Sequence, residues 1–175
     1  CARPHGIHAA RRGRGRMKGK LWMIAMLAAA PSLAQVRWVK AAEPPADAVV
    51  AGELEGRRVV VCRGRLADGV HPGWFDGTAC RVPQKGKVEH AADFEFAAGR
   101  GYTWTSDSGD TAVVGGRQFG RLDLLVCRAV QGGTRVGKAY RNGPHTGHCY
   151  LAGADREIDL TSGFEILHEP GPNSR

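Results

Sequence analysis

Apolar residues along the chain come in short runs of β-branched and aromatic type, broken every few positions by Gly, Asp or Pro. No stretch beyond residue 35 keeps a helical period, so the pattern is one of strands and hairpins. Strands are expected near Val36–Lys40, Ala48–Gly52, Arg58–Arg63, Thr78–Val82 and Phe94–Phe96. Asp68-Gly69 and Pro72-Gly73 punctuate the gap between the third and the fourth. Val59-Val60-Val61 and Leu124-Leu125-Val126 are apolar without alternation, which suits central strands covered on both faces.

The set of strands occurs twice. VVVCRGR at Val59–Arg65 returns as LLVCRAV at Leu124–Val130, and the flanks return with it. Trp38 is answered by Trp104, Ala48–Gly52 by Ala112–Gly116, and Gly56 by Gly120. Downstream, Pro72-Gly73-Trp74 is answered by Val136-Gly137-Lys138, Ala79–Val82 by His148–Leu151, and Phe94–Phe96 by Phe164–Ile166. Gly132-Gly133 occupies the gap that matches Asp68-Gly69. This is a tandem duplication of a unit of about 65 residues. Five short strands cannot bury a core alone, so the repeats at 35–103 and 104–168 are expected to pack against each other with approximate two-fold symmetry. The fold class expected is all-β: a single sandwich-like domain of short antiparallel strands, with 169–175 as a flexible tail.

The ends change the electrostatic picture. Met17–Lys20 is a basic stub, Leu21–Ala30 an apolar run, and Ser32-Leu33-Ala34 a small-x-small cleavage pattern. Residues 17–34 therefore read as a secretory signal cleaved after Ala34, leaving a secreted or periplasmic protein. The run is shorter than the ~20 residues a membrane span needs, so no span is expected after cleavage. Cys1–Arg16, rich in Arg and without an initial Met, is expected to lie upstream of the true start. Residues 1–34 hold seven of the 25 Lys/Arg and none of the 17 Asp/Glu, so the overall charge of +8 resides almost wholly in the leader. A nucleic-acid partner is not expected, because its basic patch would belong to the folded domain.

Beyond the leader the chain has four cysteines, Cys62, Cys80, Cys127 and Cys149, and an even count in an exported protein favours disulfides. Three connectivities are possible. Pairing within each repeat, Cys62–Cys80 and Cys127–Cys149, is preferred because a duplicated unit brings its own bridge.

Local constellations of reactive residues have plainer readings. His145-Thr-Gly-His148-Cys149 carries ligand types but reads as a loop, so no metal site is expected. Ser106, Asp107, Ser108 and Asp110 read as a turn. Glu95 and Glu165 match between repeats and read as solvent-facing strand residues, not as a catalytic pair. Trp38 and Trp104 read as core, and Arg63 and Arg128 as structural ion-pair partners. No catalytic residue and no cofactor is assigned.

Each repeat thus runs from Trp through an Ala-Val-x-Gly segment and a Gly to an apolar strand closing on Arg. A Pro-Gly-Lys-like motif, a short strand and Phe-Glu-hydrophobic complete it. From Trp38 to Leu167 this order resembles the DM-nine repeat family, also found in natterin-like proteins. The resemblance implies a β-rich pair of repeats and, in some members, a lectin for mannose and mannose-rich glycans. In those lectins an acidic residue just after the Gly-Gly segment and the Lys of Pro-Gly-Lys hold the sugar.

Carried onto this chain, the acidic position is Glu53 in the first repeat, with Glu55 as the alternative, and the Lys position is Trp74. In the second repeat the Lys is Lys138, while the acidic position is Arg117 or Gln118. Neither repeat holds the full pair, so a complete site requires packing to bring Glu53 and Lys138 into one pocket. Trp74 and Tyr140 are the candidates for stacking on a sugar ring. The expectation is an exported, non-enzymatic, mannose-lectin-like module, with a homodimer as its candidate assembly. The alternative is an envelope or extracellular structural or interaction protein that keeps the scaffold without the sugar site.

Overall fold

The computed structural model describes residues 35–171. The expected upstream segment 1–16, the signal at 17–34 and residues 172–175 of the tail lie outside the described residues. The first repeat supplies β1 (Arg37–Val39), β2 (Val50–Leu54), β3 (Arg57–Leu66), β4 (Gly69–Phe75), β5 (Cys80–Gln84), β6 (Lys87–Ala91) and β7 (Phe94–Ala98). The second supplies β8 (Thr103–Thr105), β9 (Val114–Gln118), β10 (Leu122–Ala129), β11 (Arg135–Tyr140), β12 (Cys149–Ala152), β13 (Glu157–Leu160) and β14 (Glu165–His168). All 14 strands join one antiparallel hydrogen-bonded network, and the described residues contain no α-helix.

β3 and β10 are the spines. β3 pairs along its length with β4 and, at its two ends, with β2 and β7. β10 repeats this with β11, β9 and β14. Their unbroken apolar runs are buried on both faces, as expected, and the two faces meet different cores. Val59 and Val61 join Val126, Val136, Val113 and Leu167 in a cluster shared by the repeats. Val60 and Cys62 face a cluster belonging to the first repeat, with Val82 and Phe96. Leu125 and Cys127 face the corresponding cluster of the second, with Leu151 and Ile166. Each fully buried side chain of this size contributes roughly 1.5–3 kcal/mol, and the shared cluster exists only when both repeats are present.

The repeats also exchange backbone bonds. β9 extends the start of β4 through Gly69↔Gln118 and Val70↔Arg117. Reciprocally, the Thr134 N–H just before β11 donates to the Glu53 carbonyl at 2.9 Å.

Both disulfides lie within repeats, Cys62–Cys80 and Cys127–Cys149, with Cα separations of 5.9 and 6.1 Å. Two such bridges indicate an oxidising environment. Each joins the spine strand to the strand beyond its hairpin partner, crossing over Gly73 or Gly137. A Cβ at Gly73 would run into the Arg81 carbonyl oxygen, and one at Gly137 into that of Tyr150. The Gly of each Pro-Gly-Lys-like motif is therefore required by this close approach.

Three features differ from the sequence reading. There are seven strands per repeat rather than five, and Pro72-Gly73 lies inside β4 instead of breaking the chain. Pro72 is tolerated because the outer edge of β4 changes partner there, from β9 at Gly69–Val70 to β5 at Trp74–Phe75. Glu95 and Glu165 do more than face solvent: they accept from Arg63 Nη2 at 2.6 Å and Arg128 Nη2 at 2.7 Å. Each guanidinium also lies over an indole, Arg63 on Trp38 at 4.5 Å and Arg128 on Trp104 at 4.4 Å.

Candidate functional site

The Pro-Gly-Lys-like motif of the second repeat puts Lys138 in the middle of β11, opposite Tyr150 of β12 and Val126 of β10. Its side chain is almost wholly buried. The ammonium donates to Gln84 Oε1 at 2.7 Å and lies 3.8 Å from Glu157 Oε2. Gln84 ends β5 of the first repeat, and Glu157 opens β13 beside the Lys85-Gly86 turn, whose Gly86 N–H donates to Glu157 Oε1 at 3.2 Å. Glu157 Oε2 is buried and has no hydrogen-bond partner.

Asp68, at the tip of the β3–β4 hairpin, organises the set. Its Oδ2 accepts from Gln118 Nε2 at 2.9 Å and from Gln84 Nε2, and its Oδ1 lies 3.0 Å from His71 Nε2. Each glutamine turns its other atom outward: Gln84 Oε1 receives Lys138, and Gln118 Oε1 receives the Tyr140 hydroxyl at 2.7 Å. The two amides are thus fixed by the carboxylate behind them, and they orient the ammonium and the phenol in front. Behind Asp68, His71 is fully buried, with Nδ1 unpartnered.

Burial sets the charge states. It lowers His71 to about 4, helped by the nearby Lys138 charge and opposed by Asp68. It lowers Lys138 to about 8, opposed by the carboxylates of Glu157 and Asp68, so the ammonium form still dominates at neutral pH. It raises Tyr140 to about 12, keeping the hydroxyl a donor. For Asp68, burial pushes upward, but the bonds from Gln118, His71 and Gln84 win, and its carboxyl ionises more readily than usual.

A cavity of about 430 Å³ opens onto this set. Gln84, Gln118, Lys138, Tyr140 and Glu157 line its inner part, and Lys85, Phe119, Arg121, Leu122, Pro144, His145 and Tyr150 complete it. The Tyr150 hydroxyl lies 2.9 Å from His145 Nδ1, and His148 is held by Asp159 at 2.8 Å. Among the described residues no group of three or more His, Cys, Asp or Glu is placed to hold a metal ion. Asp107 closes its own turn, accepting from the Thr105 hydroxyl at 2.7 Å and the Gly109 N–H at 2.9 Å.

The first repeat builds the matching cavity, about 560 Å³, with different side chains. Leu54, Trp74, Asp76 and Arg81 stand where the other has Gln118, Lys138, Tyr140 and Tyr150. Trp74 Nε1 donates to the Ala152 carbonyl at 3.1 Å, and the Arg81 guanidinium lies 5.2 Å from its ring centroid.

The residues expected from sequence therefore divide. Lys138, Gln118 and Tyr140 share one cavity and Trp74 lines the other, while Glu53 is exposed and lines neither. Glu53 and Lys138 do not meet; the carboxylates nearest Lys138 belong to Glu157 and, behind Gln84, Asp68.

This paired architecture has counterparts among known proteins. The DM9 repeat matches residues 53–160, more than half of the chain. The chain belongs to the DM9 repeat family. No curated protein sequence matches it. Among solved structures, the DM9 chain is similar in fold to the nematode sperm cell motility protein MFP2B, with a TM-score of 0.54 and 16% identity. The likeness covers 77% of this chain and 44% of that one, so the DM9 chain spans less than half the length of MFP2B.

Sequence reasoning missed four residues of the Lys138 cluster: Asp68, His71, Gln84 and Glu157. Asp68-Gly69 carried only the signature of a turn, and nothing local marks the other three as neighbours of Lys138. The one usable signal was a buried-looking Lys on a strand, which demands carboxylate and amide partners from elsewhere.

Proposed function

We propose that this DM9 protein is a non-enzymatic carbohydrate-binding module whose competent site is the Lys138 cavity. The observation that carries the reading is an ammonium and a carboxylate oxygen without a hydrogen bond, Glu157 Oε2, ion-paired at 3.8 Å and lining one cavity. Neighbouring hydroxyls of a pyranose each donate and accept, so one can accept from Lys138 while the next donates to Glu157. The Tyr140 oxygen retains acceptor capacity, and the Tyr140 and Tyr150 rings offer apolar faces to the C–H side of a sugar. The volume lies within the ~300–1,000 Å³ range usual for ligand sites. A mannose-type sugar is the proposed ligand, on the strength of the family resemblance. The two disulfides support action outside the cytoplasm.

Titration calorimetry with mannose tests this. The parent should bind, and Lys138→Met and Glu157→Gln should each weaken binding by at least roughly tenfold, the loss of one charge-assisted hydrogen bond. A parent inert to mannose and to other neutral hexoses would refute the reading and favour a scaffold role.

A further inference from the structure

The mouth of the Lys138 cavity is built unlike its floor. The floor is polar and cross-linked, whereas the mouth sets Phe119, Leu122 and Pro144 among Lys85, Arg121 and His145. Phe119 sits at the tip of the β9–β10 hairpin with φ 51°, and 57% of it is exposed. That backbone conformation disfavours any side chain and suits Gly or Asn best. The matched residue of the first repeat, Glu55, has φ 52°, so the hairpin requires a left-handed residue here but not an aromatic one. Lys85, at φ 51°, also lines this cavity. Two of the three non-glycine residues with positive φ among the described residues therefore border one opening. An aromatic ring that adds little to the core, occupies a strained position and stands at the edge of a polar cavity is placed to meet a ligand.

We propose that Phe119 forms a second subsite, stacking on the next ring of an oligosaccharide whose first ring directs neighbouring hydroxyls at Lys138 and Glu157. The inference rests on the carbohydrate reading of that cavity. Its chemistry is complementary to the floor: one face of a pyranose is a row of C–H groups, which an exposed phenyl ring covers without requiring a particular hydroxyl pattern. The site would then read chain length as well as sugar identity, preferring an oligosaccharide to the free monosaccharide.

The test is calorimetry of the whole protein with mannose and with a linear mannotriose, reported as the ratio of the two affinities. In the parent the trisaccharide should bind roughly tenfold tighter. Phe119→Asn, whose side chain tolerates the left-handed turn, should bring the ratio close to one, and Phe119→Tyr should keep it. The Asn variant should melt no lower than the parent, which separates loss of a subsite from loss of the fold. A parent ratio near one, or a ratio unchanged in Phe119→Asn, overturns the proposal while leaving mannose binding intact. A parent that binds neither sugar overturns the proposal and the carbohydrate reading together.

Discussion

Mild acid should loosen this protein through the buried His71. His71 is fully buried, its Nδ1 has no partner, and burial beside Lys138 lowers its pKa from 6.5 to about 4. In the unfolded chain the imidazole takes a proton near its ordinary pKa. In the fold it resists until the lower one. A depressed folded pKa contributes stability that is fully present above 6.5 and is lost as the pH falls toward 4. The gap, at about 1.36 kcal/mol per pKa unit, amounts to roughly 3 kcal/mol. Asp68, Asp76, Asp93 and Asp107 are all lowered from 3.8, so their contributions disappear only below that value. The window from pH 6.5 to 4 is thus separate from theirs. Urea unfolding at pH 7.5, 6, 5 and 4.5 should show stability falling across it, and His71→Gln should flatten the profile there. A parent equally stable at pH 7.5 and 4.5, or a His71→Gln variant that falls as steeply as the parent, would refute the argument.

Lys138 makes an opposite demand at high pH. Its folded pKa of about 8 lies below the ordinary 10.5, so stability withheld below pH 8 is regained as the pH rises to 10.5. Relative to Lys138→Met, the parent should gain about 2 kcal/mol between pH 7 and 9.5, read from urea midpoints. Gly137→Ala would drive a methyl into the Tyr150 carbonyl and should cost about 1–3 kcal/mol or more, seen as a fall in thermal midpoint. Removing the second bridge by Cys127→Ala with Cys149→Ala opens a loop of sequence separation 22 and should cost about 3 kcal/mol. Non-reducing peptide mapping of the parent should recover Cys127 with Cys149 and Cys62 with Cys80.

The duplication and the apolar spines were legible because they are local patterns: Val59–Val61 and Leu124–Val126 look buried on both faces and are. β4 was hidden because Pro72-Gly73 has the composition of a turn, and only the change of strand partner along its edge explains why it can be a strand. β6 and β13, Lys87–Ala91 and Glu157–Leu160, are half polar and carry little apolar signal. In the site, Lys138 and Tyr140 were found together because they stand two apart on one strand and so face the same way. Their partners were not, because Asp68 and Gln84 arrive from hairpin ends across the repeat boundary and Glu157 from a third hairpin of the same repeat. Glu53 was matched to a sugar role through the family resemblance, which carries no information on where its side chain points. The Glu53 carbonyl binds the neighbouring repeat, and its side chain lies in solvent.

The reciprocal bonds between the halves, β9 to β4 and Thr134 to Glu53, are what two identical subunits would make across a dyad. In a dimer of one short gene product, any mutation is written into both halves at once. Joining the halves in one reading frame releases that constraint. One half can then carry Trp74, bonded to the Ala152 carbonyl, at the position where the other carries Lys138 beside its carboxylates. A fused pair can therefore specialise its two faces independently, with the common core guarding the fold while one face changes.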